Sequence, residues 1–420
     1  MWKKSLVVFL ILFVLSLVGC AQTETDPIQT VTFSESDTFR RLNQVAYPDA
    51  DYSFYDEDMR DESQFAFLHA FMNKTAKALF LEEDNYVYSP ISLYMALAML
   101  VEGAEGETKD EILSLMEIED FEPMRSQMQA IFEHNRYANE FGTVQMANSL
   151  WIRNGFPVKA AYVDRLAGTY FAEAYGTDFD DIGAGNIIDW INTNTHDLLE
   201  LTKENYPIDP DLALLLLNTV YFDNKWDLEF DPAINYFDEF DGIVENVEYM
   251  KHTVTSRYYR GEGYEVVFDY FKNGNSIQYI LPGIGTDVRT LLEDDILNLD
   301  IEAYQTVEAT LSVPKFSTQS KYELNDALMS MGCGRMFTDL AEFGGISDVP
   351  LLVSFVKQDA GIRLSEAGVE AAAVSGIGLV ESSVNTNPAI DFVLDRPFLY
   401  VIFDGNSVPL FVGVMNNPKA

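Results

Sequence analysis

The chain of 420 residues is 48% hydrophobic and 13% aromatic, enough to bury a large core. Its 67 Asp and Glu against 27 Lys and Arg give a net charge of -40, which repels phosphate backbones and excludes a nucleic-acid partner. Two cysteines, Cys20 and Cys333, cannot make a disulfide framework.

Lys3 and Lys4 precede a run that is apolar from Leu6 to Val18. A bilayer span needs about 20 such residues, so the run suits a signal-peptide core instead. It ends in Leu17-Val18-Gly19-Cys20, which is similar to the bacterial lipobox. Residues 1–19 are then a lipoprotein signal peptide. A lipidated Cys20 would anchor the chain in a bilayer outside the cytoplasm, on the cell surface or in the periplasm. Residues 20–61 are polar and acidic and read as a tether, with aromatics such as Phe39 and Tyr47 that allow partial docking. No second linker or internal repeat follows, so the rest reads as one domain.

A helical period runs from Gln64 to Leu81. Ser89 can cap a second helix whose first position is Pro90. The stretch Ser92 to Leu100 is apolar nearly all round, so that helix should be buried, and Gly103 and Gly106 should stop it. Another helix starts at Thr108. Val144 to Ile152 is strand-like, and Leu212 to Phe222 reads as a fully buried central strand. Strands are then expected over 265–268, 276–281, 309–314, 350–356, 398–403 and 409–414. Helices first and strands later predict an α+β fold with a large sheet. Cys333, among small and apolar neighbours, reads as a buried structural thiol.

Catalytic signatures are missing from the sequence. His69, His134, His196 and His252 make no HExxH or metal spacing, and no GxSxG, GxGxxG or Walker pattern occurs. The residues therefore predict neither an enzyme nor a metal or cofactor site. The unusual segment is Ala371 to Val380, which has no charge and no Pro in a very acidic chain. Taken as a strand, Val369, Ala371, Ala373, Ser375, Ile377 and Leu379 share one uncharged face. The segment suits an exposed loop and a buried strand equally, which is what a switch requires.

The stretch Glu366-Ala367-Gly368-Val369-Glu370-Ala371-Ala372-Ala373 resembles the hinge of the serpin family. The resemblance continues in order over the chain. It takes in Tyr88-Ser89-Pro90-Ile91-Ser92, Leu217-Asn218-Thr219-Val220-Tyr221-Phe222 with Lys225-Trp226, and Val313-Pro314-Lys315-Phe316. Asp395-Arg396-Pro397-Phe398 and Leu410-Phe411-Val412-Gly413 close it. It implies a serpin domain over 62–418 with three β-sheets, eight or nine helices and an exposed reactive-centre loop at about 366–394. It also implies a monomer that is a consumed substrate. A target protease cleaves the loop, forms an acyl-enzyme and is trapped covalently as the loop enters the large sheet.

The same resemblance makes Glu366, Gly368, Val369, Glu370, Ala371, Ala372 and Ala373 the hinge, and predicts that Glu366 pairs with Lys315. It places Ser89, Ser92, Asn218, Trp226, Lys315 and Gln358 in the shutter and breach of the sheet. Gln358 stands where the family has His, Val369 where Thr or Ser is usual, and Asn224 where Gly is usual. Counting forward from Glu366 puts the reactive bond at Ser382–Ser383; counting back from Pro397 points to Thr386. The bond thus lies between Leu379 and Thr386, a range that also offers Val380 and Glu381. No Lys or Arg occurs from Ser365 to Asp395, which disfavours a trypsin-like pocket and favours an elastase- or subtilisin-like serine protease. A papain-like cysteine protease stays open. So does a non-inhibitory surface lipoprotein that binds a ligand or partner, although the small residues Ala371 to Ala373 favour insertion.

Overall fold

The computed structural model describes residues 28, 39–47, 65–80, 84–204, 208–209, 211–294, 297, 303–369 and 387–419. Cys20, Glu370 to Ala373 and the bond range Leu379 to Thr386 lie outside the described residues.

The chain opens with β1 (Arg40–Arg41), α1 (Ala66–Leu79), β2 (Tyr86–Tyr88), α2 (Pro90–Val101), α3 (Gly106–Leu115) and α4 (Phe121–His134). It continues through β3 (Arg136–Asn139), β4 (Gly142–Arg153), α5 (Ala160–Tyr170), β5 (Glu173–Thr177), α6 (Asp181–Asn194) and β6 (Leu214–Lys225). Strands then dominate: β7 (Tyr236–Phe240), β8 (Val244–Arg260), β9 (Tyr264–Tyr270), β10 (Ser276–Pro282), β11 (Gln305–Pro314) and β12 (Phe316–Glu323). After α7 (Asn325–Ser330) come β13 (Lys357–Leu364), β14 (Gly368–Val369), β15 (Ala389–Val393), β16 (Phe398–Phe403) and β17 (Pro409–Met415).

Among the described residues there are seven α-helices and two sheets, not eight or nine helices and three sheets. An eight-stranded sheet runs β1-β5-β4-β6-β14-β13-β12, with β3 on β4. A nine-stranded sheet runs β15-β11-β8-β9-β10-β16-β17-β2, with β7 on β8. The 17-residue β8 explains the lower count of sheets. It carries β7 and β11 along most of its length and meets β9 only at Tyr258, Tyr259 and Arg260. Two expected sheets are thereby joined into one hydrogen-bonded ladder.

The local chemistry of α2 follows the sequence. Ser89 has extended backbone and its side chain accepts the Ser92 N–H at 3.2 Å, while Pro90 starts the helix with no N–H to leave unpaired. The helix is buried almost all round, at the centre of the main core. It ends at Val101, and Gly106 opens α3 at φ +52° rather than closing α2. Cys333 is buried, which pushes its thiol up to about 12 and leaves it inert.

Two expected strands differ. Residues 350–356 form no strand: Val353 N–H goes to Met336 O, the Asn325 amide takes Ser354 O, and Val356 N–H donates to Asn325 Oδ1. Those bonds satisfy the backbone locally, and pairing begins only at Lys357. β6 is central, as expected, but not fully buried. Leu214, Leu216 and Asn218 are half-buried because a cavity of about 180 Å³ opens beside them, between β6, α2 and residues 351–359.

Part of the acidic tether is docked on the domain. Arg40 and Arg41 pair antiparallel with Gly176 and Tyr175, extending the eight-stranded sheet. Phe39 stacks on Tyr175 at 5.6 Å, and Tyr47 stacks on Phe132 while Arg136 sits 4.0 Å over its ring. Arg41 pairs with the buried Glu173 at 2.6 Å.

A second buried carboxylate ties three helices together. Glu102, at the end of α2, has no exposed side-chain surface. It accepts two bonds from Arg125 of α4 at 2.6 and 2.8 Å, and further ones from Arg165 at 3.2 Å and Tyr170 at 3.0 Å on α5. Arg125→Ala leaves this charge with the Tyr170 hydroxyl and, as its one remaining cation, the more distant Arg165. The expected cost is about 3 kcal/mol, in line with the loss of one partner of a buried pair. Thermal unfolding checks it, and Glu102→Gln with Arg125→Met should recover part of the loss.

Candidate functional site

The site is an interior opening in the eight-stranded sheet. On one edge β6 pairs continuously with β4, from Leu214↔Ile152 to Asn224↔Gly142. On its other edge, among the described residues, β6 meets only Gly368↔Lys225 and Val369↔Asn224 of β14. β14 in turn joins β13 through Leu364↔Val369. Of the expected hinge, Gly368 and Val369 therefore lie in the sheet already, not in an exposed loop, and Val369 is 1% exposed. Gly is required at 368 because a Cβ there would sit 2.1 Å from Asn224 O, which is backbone and has no side-chain freedom to yield.

The upper end of the opening is held by a clamp. Lys315, just after β11, reaches Glu366 at 2.5 Å and Glu248 at 2.9 Å. The Asn235 amide bridges the same two carboxylates at 2.7 and 2.9 Å. Burial pushes the Glu366 carboxyl up, but its bonds from Lys315, backbone and Asn235 outweigh burial and hold it below the usual carboxylate range. Glu248 is likewise lowered, chiefly by Lys315. Trp226 packs face to face on Phe271 at 4.5 Å and edge-on to Phe230. Its indole N–H donates to Ser365 O at 2.9 Å, its backbone N–H to Ala367 O, and the Phe230 N–H to Glu366 O. The turn from Ser365 to Gly368 is thus gripped from both sides.

Half-way down, neutral amides bridge the opening. The Gln358 carboxamide binds the Ser89 backbone twice, accepting its N–H at 3.0 Å and donating to its carbonyl at 2.9 Å. Ser92 Oγ donates to Asn218 O at 3.4 Å. The Asn218 amide donates to Asn148 Oδ1 at 2.7 Å, and Asn148 donates to Tyr170 O. β13, α2, β6 and β4 are joined through these groups. Asn218 Oδ1 is buried without a partner and lies beside the cavity. Asp359, which also lines the cavity, is pushed up to about 6 by burial.

The structure thus brings together Ser89, Ser92, Asn218 and Gln358 at mid-height, and Trp226, Lys315, Glu366, Gly368 and Val369 at the top. Asn235, Glu248 and Asn148 are added members. Sequence reasoning missed them because a lone Asn or Glu in a chain with 67 acidic residues carries no local signal.

The chain matches the family model described as Serpin (serine protease inhibitor) over residues 62–418. It is 32% identical over 354 residues to Serpin A3-3 of Bos taurus, covering 80% of this chain and 84% of that one. It is 30% identical over 356 residues to an uncharacterized serpin-like protein of Methanosarcina acetivorans, covering 80% and 83%. In fold it is similar to the crystal structure of Serpin48, a highly specific serpin of the insect Tenebrio molitor. That likeness has a TM-score of 0.75 at 23% identity, with 86% of this chain and 99% of that one covered.

The clamp at the top makes the resting state acid-sensitive. Because Glu366 and Glu248 are depressed in the folded protein, their contribution is present at neutral pH. It is lost as pH falls through their folded values, below the ordinary carboxylate pKa of about 4. Monomer warmed below its unfolding temperature should polymerise faster in acid than at pH 7. Glu366→Lys should polymerise at pH 7 and lose most of the acid dependence, as followed by size-exclusion chromatography. A Glu366→Lys protein that polymerises no faster than the parent at pH 7 shows that the clamp does not keep the opening shut.

Proposed function

The chain belongs to the serpin family of serine protease inhibitors, and from that premise we propose that it is a suicide-substrate inhibitor of an elastase- or subtilisin-like serine protease at a cell surface. One observation carries the reading: Gly368 and Val369 stand between β6 and β13 in a fixed register, and below them no described strand fills the place.

Continued downward, that register sets Ala371 opposite Phe222, Ala373 opposite Val220, Ser375 opposite Asn218 and Leu379 opposite Leu214. On the β13 side it sets Ala371 opposite Ile362 and Ser375 opposite Gln358. Ala371, Ala373 and Ser375 share the buried face of Val369, so small uncharged side chains would meet the core. Ser375 would arrive beside the unpartnered Asn218 Oδ1, which a hydroxyl can satisfy. β6 begins at Leu214, so the inserted strand ends near Leu379 and the attacked bond follows it. Ser382–Ser383 remains the assignment within the range Leu379 to Thr386.

The chemistry is acyl transfer interrupted midway. The protease serine attacks the carbonyl of Ser382, the amide bond to Ser383 breaks, and the freed amine leaves with the C-terminal piece. The N-terminal piece, still esterified to the protease, enters the sheet as a strand. Ten residues at about 3.3 Å each carry the enzyme roughly 33 Å before the ester is hydrolysed. Pairing of two open strand edges supplies the driving force, and no group on this chain turns over. Cys20 as a lipid anchor would place the inhibitor on the outer face of a membrane.

Three measurements test the reading. The protein incubated with elastase or subtilisin should yield an SDS-resistant complex, and the released C-terminal fragment should begin between Val380 and Asn387. Trapping of trypsin but not elastase, or of a papain-like enzyme alone, overturns the assigned target class. Ala371→Arg should be cleaved but not trap, because a buried unpaired guanidinium costs several kcal/mol and slows insertion; undiminished trapping by this variant sinks the insertion mechanism. Cys20→Ala should move the protein from the membrane to the soluble fraction and abolish labelling by a fatty-acid probe.

A further inference from the structure

The N-terminal segment joins the eight-stranded sheet at one particular height. Ile152 of β4 faces Leu214 of β6 on one side and Gly176 of β5 on the other, and Gly176 faces Arg40 of β1. Arg40, Gly176, Ile152 and Leu214 thus form one row across the lower end of the sheet. The continued register of the loop puts Leu379 in the same row. β1 runs antiparallel to β5, so Phe39 lies below this row and the chain climbs from it.

From Phe39 to Tyr47 this strap is fastened along its length. The Leu42 N–H donates to Ala174 O at 2.7 Å, and the Asn43 side chain donates to Ala172 O and accepts the Ala174 N–H. Arg41 reaches Glu173, whose carboxylate also takes the Tyr175 hydroxyl and the Trp190 indole N–H. Phe39 is buried against Trp151 and Tyr175, and Tyr47 stacks on Phe132 and Phe171. A pull on the chain before Phe39 is therefore delivered to the lower end of the sheet. The bait segment starts at the opposite end, where Val369 faces Asn224, ten residues of β6 or about 33 Å from Leu214.

We infer that the strap at residues 39–47 turns the lower end of the sheet toward the bilayer, so that the bait loop faces outward and capture carries the protease inward, to the membrane-facing pole. This rests on the two readings above, loop insertion and a lipid anchor at Cys20. Eighteen residues, 21–38, separate that anchor from Phe39. Drawn out, a chain of that length spans at most about 65 Å, and as a random coil about 25 Å. A serine protease of roughly 250 residues is about 45 Å across. The place between β6 and β13 stands four strand positions from β1, about 19 Å. The captured enzyme is wider than that offset, so it overlaps the path of the tether to the bilayer. Residues 21–38 are then a spacer, long enough when drawn out to clear the enzyme.

The test uses the lipidated full chain in vesicles whose headgroups carry an energy-transfer acceptor. Cys333 is buried, so a thiol introduced on the surface takes the donor dye alone. Glu140→Cys marks the upper end, beside Lys225, and Asp211→Cys the lower end, beside Arg153; both positions are exposed. The dye at 211 should transfer several-fold more than the dye at 140. Phe39→Ala with Tyr47→Ala, which undocks the strap, should bring the two toward equality. Equal transfer with the strap intact, or more from 140, overturns the orientation, and an unchanged difference in the undocked variant overturns the role of the strap. A chain that carries no lipid overturns the anchor reading, and the inference falls with it. Deleting residues 24–33 leaves eight residues of spacer, at most about 29 Å, too few to clear the enzyme. On vesicles this variant should still be cut by subtilisin but yield several-fold less SDS-resistant complex than the parent. With Cys20→Ala added, in solution, it should trap as the parent does. A shortened, anchored chain that traps like the parent overturns the spacer. Failure of every form to trap, in solution as on vesicles, overturns the inhibitory reading itself.

Discussion

Buried backbone groups must be paired, and β6 meets that demand on one edge along its length and on the other, among the described residues, at Gly368 and Val369 alone. The rest of the architecture can be understood from this single imbalance. A cavity of about 180 Å³ lies beside Leu214 and Leu216, between β6, α2 and residues 351–359. The side chains that bridge the opening supplement the short backbone link of β14, which among the described residues joins β6 to β13.

Those bridges differ in chemistry with height. The top is ionic, with Lys315 between Glu366 and Glu248, and so it answers to protons and salt. The middle is built from Gln358, Asn218 and Asn148, whose amides neither ionise nor screen. Gln at 358 therefore adds no titrating group of its own there, and the carboxyl beside it, Asp359, is the one that burial raises to about 6. The bottom relies on aliphatic packing by Leu198 and Leu199 and on one amide from Gln319. Three kinds of interaction thus secure the opening at three heights.

Local chemistry made some of this legible in the sequence. Ser89-Pro90 announced the start of α2, and the uncharged parity of Val369, Ala371 and Ala373 announced a segment able to be buried. The pairing of Glu366 with Lys315 came from the family resemblance, because nothing local connects residues so far apart. Other features depend on tertiary context. Pro350 to Val356 has strand composition, but its backbone is claimed by Asn325 and Met336. β8, at 17 residues the longest strand described, was not foreseen because Glu245, Glu248 and Lys251 interrupt its apolar pattern. The left-handed backbone at Asp197 and Glu200 has no glycine to signal it, and the role of Gly368 shows only once Asn224 O is seen against it.

The tight hairpin from Ser365 to Gly368 bears on kinetics rather than on stability. Its two mutual backbone bonds bring Val369 back alongside Leu364. For the proposed insertion, the entropy of closing a chain onto its template, the slow part of most strand additions, has thus been met in advance. What remains is propagation, one residue after the next, as in a zipper whose slider is already seated. Growth from a seated end proceeds in one direction and in one register, so no search among slipped alignments is needed. A process of that kind is timed by how readily the template separates, and it owes little to the wandering of the loop.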